Sequence, residues 1–386
     1  MGWSVQRATG LTVHHPARSF KGYTLLAPLA GDAAYLLDMG GRVVHRWRVP
    51  GFRLFGARLL PGGTLLVLCA DAALPPPPQV PFDQPPPPFA QHVRRLGGNA
   101  THLRELDWDG TVLWEYRNEA LHHDFVRLDN GNTLVAEWVE LPPALAHRVR
   151  GGARRPREKF PPLLSDDIVE LDPSGTEVGR IHLWELLDPV KDPICPLEAR
   201  WEWTHLNSLA LTPEGDLIVS CRQNSRVAIV DRANRSLRWK WGAPHVHHQH
   251  HATATPEGRV QIFDNGVHRV GLSWSRVVEV DPATNAVVWE YLGEPPESFF
   301  SGHISGAERL PNGNVLICEG SSGRVFEVTR RGETVWEWVS PFVNPIQGSL
   351  RPWIFRAHRY GPEVAGLDGR DLDPGRHAEL NRLHGL

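Results

Sequence analysis

Four histidines precede a turn glycine by eight to ten residues, and this spacing could assemble a reactive site. They are His123, His205, His250 and His303, before Gly131, Gly215, Gly258 and Gly313. Neutral imidazole serves as a nucleophile, a general acid or base, or a metal ligand. A single histidine in such a place more often has a structural role, but four at similar offsets favour a shared site.

Further polar residues flank these histidines. Asn207 and Ser305 lie two residues after His205 and His303, hence on the same face of a strand. Arg222 follows the turn at Gly215 at about the distance by which His205 precedes it, so a hairpin brings both to one end. The same argument places Asp264 and Asn265 near His250, and Glu319 near His303. We therefore predict a histidine cluster with one arginine, amides and flanking carboxylates.

Two chemistries suit this cluster. In the first, an imidazole takes a group from an anionic donor while Arg222, His123, His205 and Asn207 hold its oxygens. In the second, His123, His205, His250 and His303 bind iron or copper, with Glu319 or Asp264 behind them. A third interpretation is a protein that only binds a partner and catalyses nothing. The residues alone leave all three open.

A five-residue sequence motif that contains a tryptophan, here called the tryptophan word, occurs six times and indicates the elements that position the cluster. Its tryptophans are separated by 47 to 70 residues, and the word alternates and is rich in aromatics, which favours strands. They are Trp47, Trp114, Trp184, Trp239, Trp289 and Trp336. Gly-containing turns followed by aliphatic runs, such as 130–135 and 312–316, recur between these words and indicate hairpins. Each full unit reads as four strands.

The units predict an all-β fold, a six-bladed β-propeller. Five units are complete. The N-terminal end supplies only two strands, residues 35–38 and the first tryptophan word, and the C-terminal tail lacks outer strands. Pairing the N-terminal outer strands with C-terminal inner strands closes the ring and removes exposed sheet edges. The first strand of each blade would then line a central channel. We predict one domain over residues 1–386, with its core at about 22–360.

Two insertions interrupt the repeat. Residues 75–88 contain two runs of four prolines and predict an extended surface loop. Residues 142–162 carry a cluster of Arg and Lys, which indicates a solvated loop or a lid that attracts an anionic substrate. The four cysteines are far apart, and Cys69, Cys221 and Cys318 end strand-like runs, so we expect buried thiols.

Composition excludes several partners. The net charge of −3 and pI near 6.7 provide no broad basic field for nucleic acid or an anionic membrane. No stretch has the length of a signal peptide's apolar region or of a membrane span, so we expect a cytoplasmic protein. The oligomeric state is not predicted by any of these features.

Several motifs resemble the arylsulfate sulfotransferase family. The segment 299–317, Phe-Phe-Ser-Gly-His-Ile-Ser-Gly-Ala-Glu-Arg-Leu-Pro-Asn-Gly-Asn-Val-Leu-Ile, carries most of the resemblance. The segments 203–208, 249–252 with 263–266, and 122–125 with 130–132 add to it, in the same order. The resemblance runs from about residue 22 to residue 360 and implies a six-bladed propeller.

The resemblance also implies a reaction. Members of this family move a sulfuryl group from an aryl sulfate to a phenol through a sulfated histidine, without a nucleotide sulfate donor, and we expect no cofactor for this reaction. By motif, His250 would be the nucleophile, and His123, His205, Asn207 and Arg222 would neutralise the sulfuryl oxygens. His303 and Ser305 are expected to line the substrate site. His250 and His251 face opposite sides if their strand is regular, so only one would point at the channel.

Overall fold

A computed structural model describes residues 8–74, 88–153 and 162–386, and its main sheets are six blades, five of four strands and one of five. Blade one contains Tyr23–Pro28, Ala33–Leu37, Val43–Arg48 and Ile354–Tyr360; blade two, Phe52–Leu59, Leu65–Asp71, His102–Leu106 and Val112–Arg117; blade three, Leu121–Arg127, Thr133–Glu140, Leu164–Leu171 and Glu177–His182; blade four, Leu206–Leu211, Leu217–Cys221, Arg226–Asp231 and Ser236–Gly242; blade five, His250–Ala254, Val260–Asp264, Arg276–Val280 and Val287–Leu292; blade six, Gly306–Arg309, Val315–Glu319, Arg324–Val328 and Thr334–Val339. The fold is a six-bladed β-propeller, as predicted.

The remaining elements are short. Gly151–Ala153 pairs in parallel with Ile194–Ala199, and Asn344–Ile346 pairs with Ser349–Arg351. The α-helices are Phe89–Val93, Pro143–Arg148, Leu183–Leu186 and Ala378–His384, and the 3₁₀ helices are Pro296–Ser298, Gly320–Ser322, Ala365–Leu367 and Pro374–His377. None of the helices in the described part of the chain is long and apolar enough to cross a membrane.

The alternation and turn patterns explain the strands. The second strands of the blades are aliphatic on both faces and almost entirely buried, as in Leu217–Cys221 and Val315–Glu319. Five of the six tryptophan words lie on strands at or next to the outer edge of their sheets. Val112–Arg117 alternates between exposed and half-buried residues, whereas Trp47 and Trp336 are buried. Turn glycines such as Gly131 and Gly313 have φ of 86° and 87°, a backbone conformation that favours glycine.

The predicted closure is confirmed, with one difference. Strand Ile354–Tyr360 pairs antiparallel with Tyr23–Pro28, so the two ends of the chain share blade one. The N-terminal part supplies three strands rather than two, because Tyr23–Pro28 precedes the pair that the sequence indicated. An additional strand, Gly10–His14, pairs with Thr334–Val339 and extends blade six to five strands.

The structure contradicts the strand predicted at 182–186 and tests the predicted insertions only in part. The tryptophan word at 182–186 leaves the sheet, since Leu183–Leu186 is a helix whose Leu183 packs into the core between blades three and four. The basic insertion at 142–162 contains the helix Pro143–Arg148 and a short strand, so it is not simply a loop. Residues 75–87 and 154–161 of the two insertions lie outside the described residues, and a lid function stays a prediction.

The chain divides into two compact units by its internal contacts. One comprises residues 1–67, 105–113 and 304–386, and the other comprises 68–104 and 114–303. All four cysteines are free thiols; Cys69, Cys221 and Cys318 are buried, as expected, and Cys195 is half-buried. Burial raises the pKa of the Cys69 thiol to about 12, so this side chain is inert packing.

A buried arginine links the strands that close blade one. Arg359 lies on the C-terminal strand, and its Nε donates to Thr24 Oγ1 at 2.7 Å. Its Nη1 donates to the Phe20 carbonyl at 2.9 Å and lies 3.5 Å from Glu327 Oε2, with both charged side chains fully buried. Desolvation lowers the pKa of Arg359 to about 10, which still leaves it charged at neutral pH. One guanidinium thus joins the N-terminal segment, the C-terminal strand and blade six.

Replacing this arginine should therefore destabilise the fold. Arg359→Met leaves Glu327 buried without its cation, and we expect a loss of about 3–5 kcal/mol in the free energy of unfolding. Chemical denaturation of the full chain measures it. Arg42→Met, which removes an exposed ion pair with Asp38, serves as the control and should change stability by less than about 1 kcal/mol. Equal losses in the two variants would contradict the role assigned to Arg359.

Candidate functional site

The first strands of blades three, four and five are irregular where their histidines lie. Their pairing with the second strands shifts register after His122, Leu206 and His250. His123, His205 and His251 have positive φ of 51°, 55° and 48°. Side chains larger than glycine rarely adopt this backbone, and such strain concentrates at functional sites. The fold thus holds these imidazoles in conformations that a regular strand does not provide.

His123 and His205, two of the four histidines of the predicted cluster, are in direct ring contact. Their ring centroids lie 4.5 Å apart at an interplanar angle of 69°. Both side chains are largely buried, at 4% and 7% exposure. The segment after helix Phe89–Val93 lies against them, because the His123 amide donates to the Gly98 carbonyl at 3.0 Å and a Cβ on Gly98 would collide with the His123 ring.

A buried carboxylate supports His123 through a second imidazole. His122 Nε2 lies 3.1 Å from Asp166 Oδ1, and His122 Nδ1 lies 2.9 Å from His123 Nδ1. Burial by itself raises the pKa of Asp166, but hydrogen bonds from His122, Thr204 and the Leu206 amide outweigh it and hold the pKa below its ordinary value. Asp166 is therefore an anion, and His122 Nε2 lies beside it.

A second carboxylate orients His205. Its Nδ1 lies 2.7 Å from Glu202 Oε2, and the indole Nε1 of Trp138 donates to the same oxygen at 3.3 Å. Since Nδ1 carries the proton toward Glu202, Nε2 is the atom of His205 left for chemistry. Glu202 itself is buried, at 6% exposure.

An amide fixes the tautomer of His250. Asn265 Nδ2 donates to the Ser301 carbonyl at 2.7 Å, which turns Asn265 Oδ1 toward His250 Nδ1 at 2.7 Å. An amide oxygen only accepts, so Nδ1 of His250 carries a proton and Nε2 of the neutral ring carries the lone pair. The sequence prediction that Asn265 returns beside His250 is confirmed.

The alternation argument for His250 and His251 does not hold. His251 has left-handed backbone and lies in the register shift, so the two side chains do not simply point to opposite faces. Both residues are buried. The assignment of the reacting residue rests instead on the Asn265 contact.

Arg222 lies beside His205 but is already engaged. Its amide donates to the His205 carbonyl at 3.1 Å, which confirms the hairpin argument. Its Nη1 is 2.9 Å from Glu198 Oε1 and donates to Gln223 Oε1 at 2.7 Å. A guanidinium has five N–H donors, so Nη2 and Nε can still bind an anion.

Asn207 and Asp264 both position neighbouring backbone, and the predicted contact of Asn207 with a substrate stays a prediction. Asn207 Nδ2 donates at 2.8 Å to the carbonyl of Gln249, the residue before His250. Asp264 is fully buried, accepts from the His247 amide at 2.9 Å, and pairs with Arg269 and Arg276 at 2.7 and 3.0 Å. The structure therefore gives these two side chains anchoring roles that the sequence did not predict.

His303 and Ser305, the site residues predicted in blade six, do not lie on its first strand. His303 and Ser305 both precede Gly306–Arg309, and the His303 carbonyl accepts from Ser301 Oγ at 3.0 Å. His303 and Ser305 fall in different compact units of the chain. The Oγ of Ser305 accepts from the Gly320 amide at 2.9 Å. Glu319 pairs with Arg324 at 3.3 Å. Whether these residues join the histidine cluster stays a prediction.

A second cluster escaped the sequence reasoning. His268 Nδ1 lies 3.1 Å from His248 Nε2 and 3.4 Å from Cys195 Sγ. Burial and the Arg222 charge lower the pKa of His248 to about 2, so its ring stays neutral. Within the described ranges this group, with donor atoms all within 4.8 Å of one another, has the spacing of metal ligands. It differs from the predicted quartet of His123, His205, His250 and His303.

The fold is a six-bladed β-propeller. In its candidate site, a carboxylate or an amide contacts one ring nitrogen of His122, His205 and His250 and orients each buried imidazole. The family model described as Arylsulfotransferase (ASST) matches residues 101–341, more than half of the chain. The chain belongs to the arylsulfotransferase family, which confirms the resemblance seen in its motifs. Membership makes it a transferase of the aryl sulfotransfer class, with aryl sulfates and phenols as the general substrates. No curated protein matches the chain significantly.

Several solved structures are similar to the chain. A protein of unknown function from Bacteroides caccae is 11% identical, with a TM-score of 0.53 over 88% of this chain and 98% of that one. A streptogramin B lyase aligns at 12% identity and a TM-score of 0.48, over 91% of this chain and 93% of that one. A virginiamycin B lyase from Staphylococcus aureus aligns at 11% and 0.43, over 75% and 70%. At these identities only the first similarity bears on the chain, and only on its fold.

Gly98 provides a test of how His123 is held. Gly98 and Gly215 have φ of 79° and 87°, but a Cβ meets the His123 ring only at Gly98, whereas nothing lies within 4 Å of it at Gly215. Gly→Ala at either position should lose about 1–2 kcal/mol of stability from the backbone alone. We expect Gly98→Ala to lose more in denaturant titrations and to shift the imidazole NMR signals of His123 and His205. Unchanged signals would contradict the packing described here.

Proposed function

We propose that the chain transfers a sulfuryl group from an aryl sulfate to a phenol through a sulfohistidine on His250. The observation that carries this proposal is the His250–Asn265 contact, at 2.7 Å between Nδ1 and Oδ1. It leaves the Nε2 lone pair on a neutral, oriented ring, which is what nucleophilic attack on sulfur requires. The chemistry needs no cofactor.

In the first half-reaction, His250 Nε2 attacks sulfur. The N–S bond forms, the bond from sulfur to the aryl oxygen breaks, and the electron pair of that bond leaves with the phenolate. The sulfated nitrogen makes the ring cationic, and Asn265 Oδ1 continues to accept from Nδ1–H. The side chain of Asn265 is held by the Ser301 carbonyl, so it does not need to reorganise.

His205 and Arg222 are placed to receive the negative charge of the sulfuryl oxygens. The Glu202 contact directs Nε2 of His205 away from the carboxylate, and a protonated His205 donates from that atom. Arg222 retains donors on Nη2 and Nε while Glu198 holds Nη1. Asn207 contributes indirectly, since it fixes the Gln249 carbonyl next to His250.

His123 is the proposed acid for the departing phenolate, with His122 and Asp166 behind it. When His122 is an imidazolium, its Nε2–H donates to Asp166 and its Nδ1–H donates to Nδ1 of His123, so Nε2 of His123 carries a proton. That proton passes to the phenolate oxygen, and the proton between the two Nδ1 atoms moves onto His123. Through the rings of His122 and His123, Asp166 thus influences Nε2 of His123, the atom that protonates the leaving phenolate.

The second half-reaction reverses these steps. The acceptor phenol gives its proton to Nε2 of His123 and the shared proton returns to His122. The acceptor oxygen then attacks sulfur, an S–O bond forms and the N–S bond breaks, which restores neutral His250. Donor and acceptor use one site in turn, as a ping-pong reaction requires.

The intermediate can be detected directly. With an aryl sulfate donor and no acceptor, we expect a burst of about one phenol per chain and a sulfuryl mass increment on the peptide containing His250. His250→Ala should abolish both. His245→Gln is a matched control, because His245 is exposed and stacks on Trp241 with ring centroids 5.3 Å apart. An increment on His251, or a full burst from His250→Ala, would contradict the assignment.

The role of His122 and Asp166 predicts a dependence on the leaving group. His122→Asn and Asp166→Asn should lower kcat by about 10²-fold with donors whose phenol has a high pKa, and far less with acidic phenols that leave without a proton. The slope of log kcat against phenol pKa is the measurement, with the pH profile as a second one. A uniform loss across all donors would indicate that the pair only supports the fold.

A further inference from the structure

We propose that Cys195, His248 and His268 form a binding site for zinc or a cation of similar softness. The site does not depend on the proposed sulfuryl transfer. Cys195 lies on the strand Ile194–Ala199, His248 lies two residues before His250, and His268 follows Asn265 by three residues. Their donor atoms all lie within 4.8 Å of one another.

Two of the three distances between donors match those around one tetrahedral ion, and the third is within 4.8 Å. With Zn–N of about 2.0–2.1 Å and Zn–S of about 2.3 Å, tetrahedral ligands lie about 3.3 Å apart for two nitrogens and about 3.5 Å for nitrogen and sulfur. His268 Nδ1 and His248 Nε2 are 3.1 Å apart, and His268 Nδ1 and Cys195 Sγ are 3.4 Å apart. Small adjustments therefore bring all three donors onto one cation.

The ligand types select the class of cation. A thiol that becomes a thiolate and two imidazoles suit zinc and similar soft or borderline ions, whereas magnesium and calcium prefer oxygen ligands. Three protein ligands leave a fourth position for water or an anion. His268 keeps 28% of its side-chain surface exposed, which gives the cation a path from solvent, while His248 is buried.

The surrounding charges permit a cation. Glu198 Oε1 lies 3.5 Å from His248 Nδ1, the ring nitrogen opposite the proposed metal-binding atom, and 4.0 Å from His268 Nδ1. A carboxylate behind a ligating histidine orients its ring. The Arg222 cation is opposed by Glu198, from which it lies 2.9 Å, and a thiolate adds a second negative charge.

The backbone also supports a built site. His248 and His268 have positive φ of 56° and 63°, which is uncommon for residues other than glycine. The His248 amide donates to Ser225 Oγ at 3.0 Å, so this conformation is held by blade four. A bound cation would join the Cys195 strand to the two loops around His250 and would hold Glu198 beside Arg222.

The experiment uses the full chain without an affinity tag, stripped with a chelator. On titration with zinc we expect about one equivalent to bind, and cobalt should give a thiolate-to-metal charge-transfer band. Cys195→Ser should remove that band, and His268→Asn should weaken binding by at least about tenfold to a hundredfold. Asparagine tolerates the left-handed backbone of His268, so this variant is expected to fold. His245→Gln, which alters an exposed histidine outside the cluster, should bind as the parent does.

A second measurement needs no substitution. Cys195 is half-buried whereas the other three cysteines are buried, so an alkylating reagent should react with Cys195 first. Zinc should slow that reaction by at least about tenfold, as judged by mass analysis of the Cys195 peptide. Binding below about a tenth of an equivalent, a cobalt spectrum without a thiolate band, or unprotected Cys195 would each overturn the proposal. None of these outcomes depends on sulfuryl transfer.

Discussion

Hydrogen bonds from side chains of the preceding blade hold the irregular first strands of blades four and five. Register shifts remove ladder partners from buried backbone groups, and an unpaired buried group costs about 1–3 kcal/mol. Side chains of the adjacent blade supply those partners: Asp166 to the Leu206 amide, Asp124 to the Leu209 amide, Asn207 to the Gln249 carbonyl and Ser208 to the Ala252 amide, at 2.7 to 3.0 Å. Because these bonds hold the shifts, they also determine where the histidines lie.

Asp166 shows how closely structure and chemistry are linked. Its Oδ2 accepts from the Leu206 amide, next to His205, while its Oδ1 faces His122. One buried carboxylate therefore positions the backbone of blade four and contacts a ring in blade three. This double use explains why a full negative charge is kept in a site with no solvent exposure.

The parts of the fold that were predictable from the sequence depend on local patterns. Turn glycines and alternating tryptophan words indicated the blades, and hairpin symmetry placed Arg222 beside His205 and Asn265 beside His250. Prediction from strand periodicity failed where the backbone is not a regular strand. Leu183–Leu186 is a helix, and the φ of 48° at His251 breaks the alternation of side chains. The Asp166–His122 contact and the Cys195 cluster join residues more than 40 positions apart, partly through loops, and no periodicity marks them.

The partner of each histidine distinguishes its possible role. His122 and His205 each have a carboxylate oxygen within 3.1 Å of one ring nitrogen. His250 instead faces the neutral amide of Asn265, which fixes its tautomer without adding negative charge. A nucleophile must keep its lone pair, whereas an acid or an oxyanion donor must keep its proton. In the proposed reaction, these environments divide the roles among chemically identical side chains, and attack on sulfur falls to the imidazole whose ring nitrogen is held by an amide.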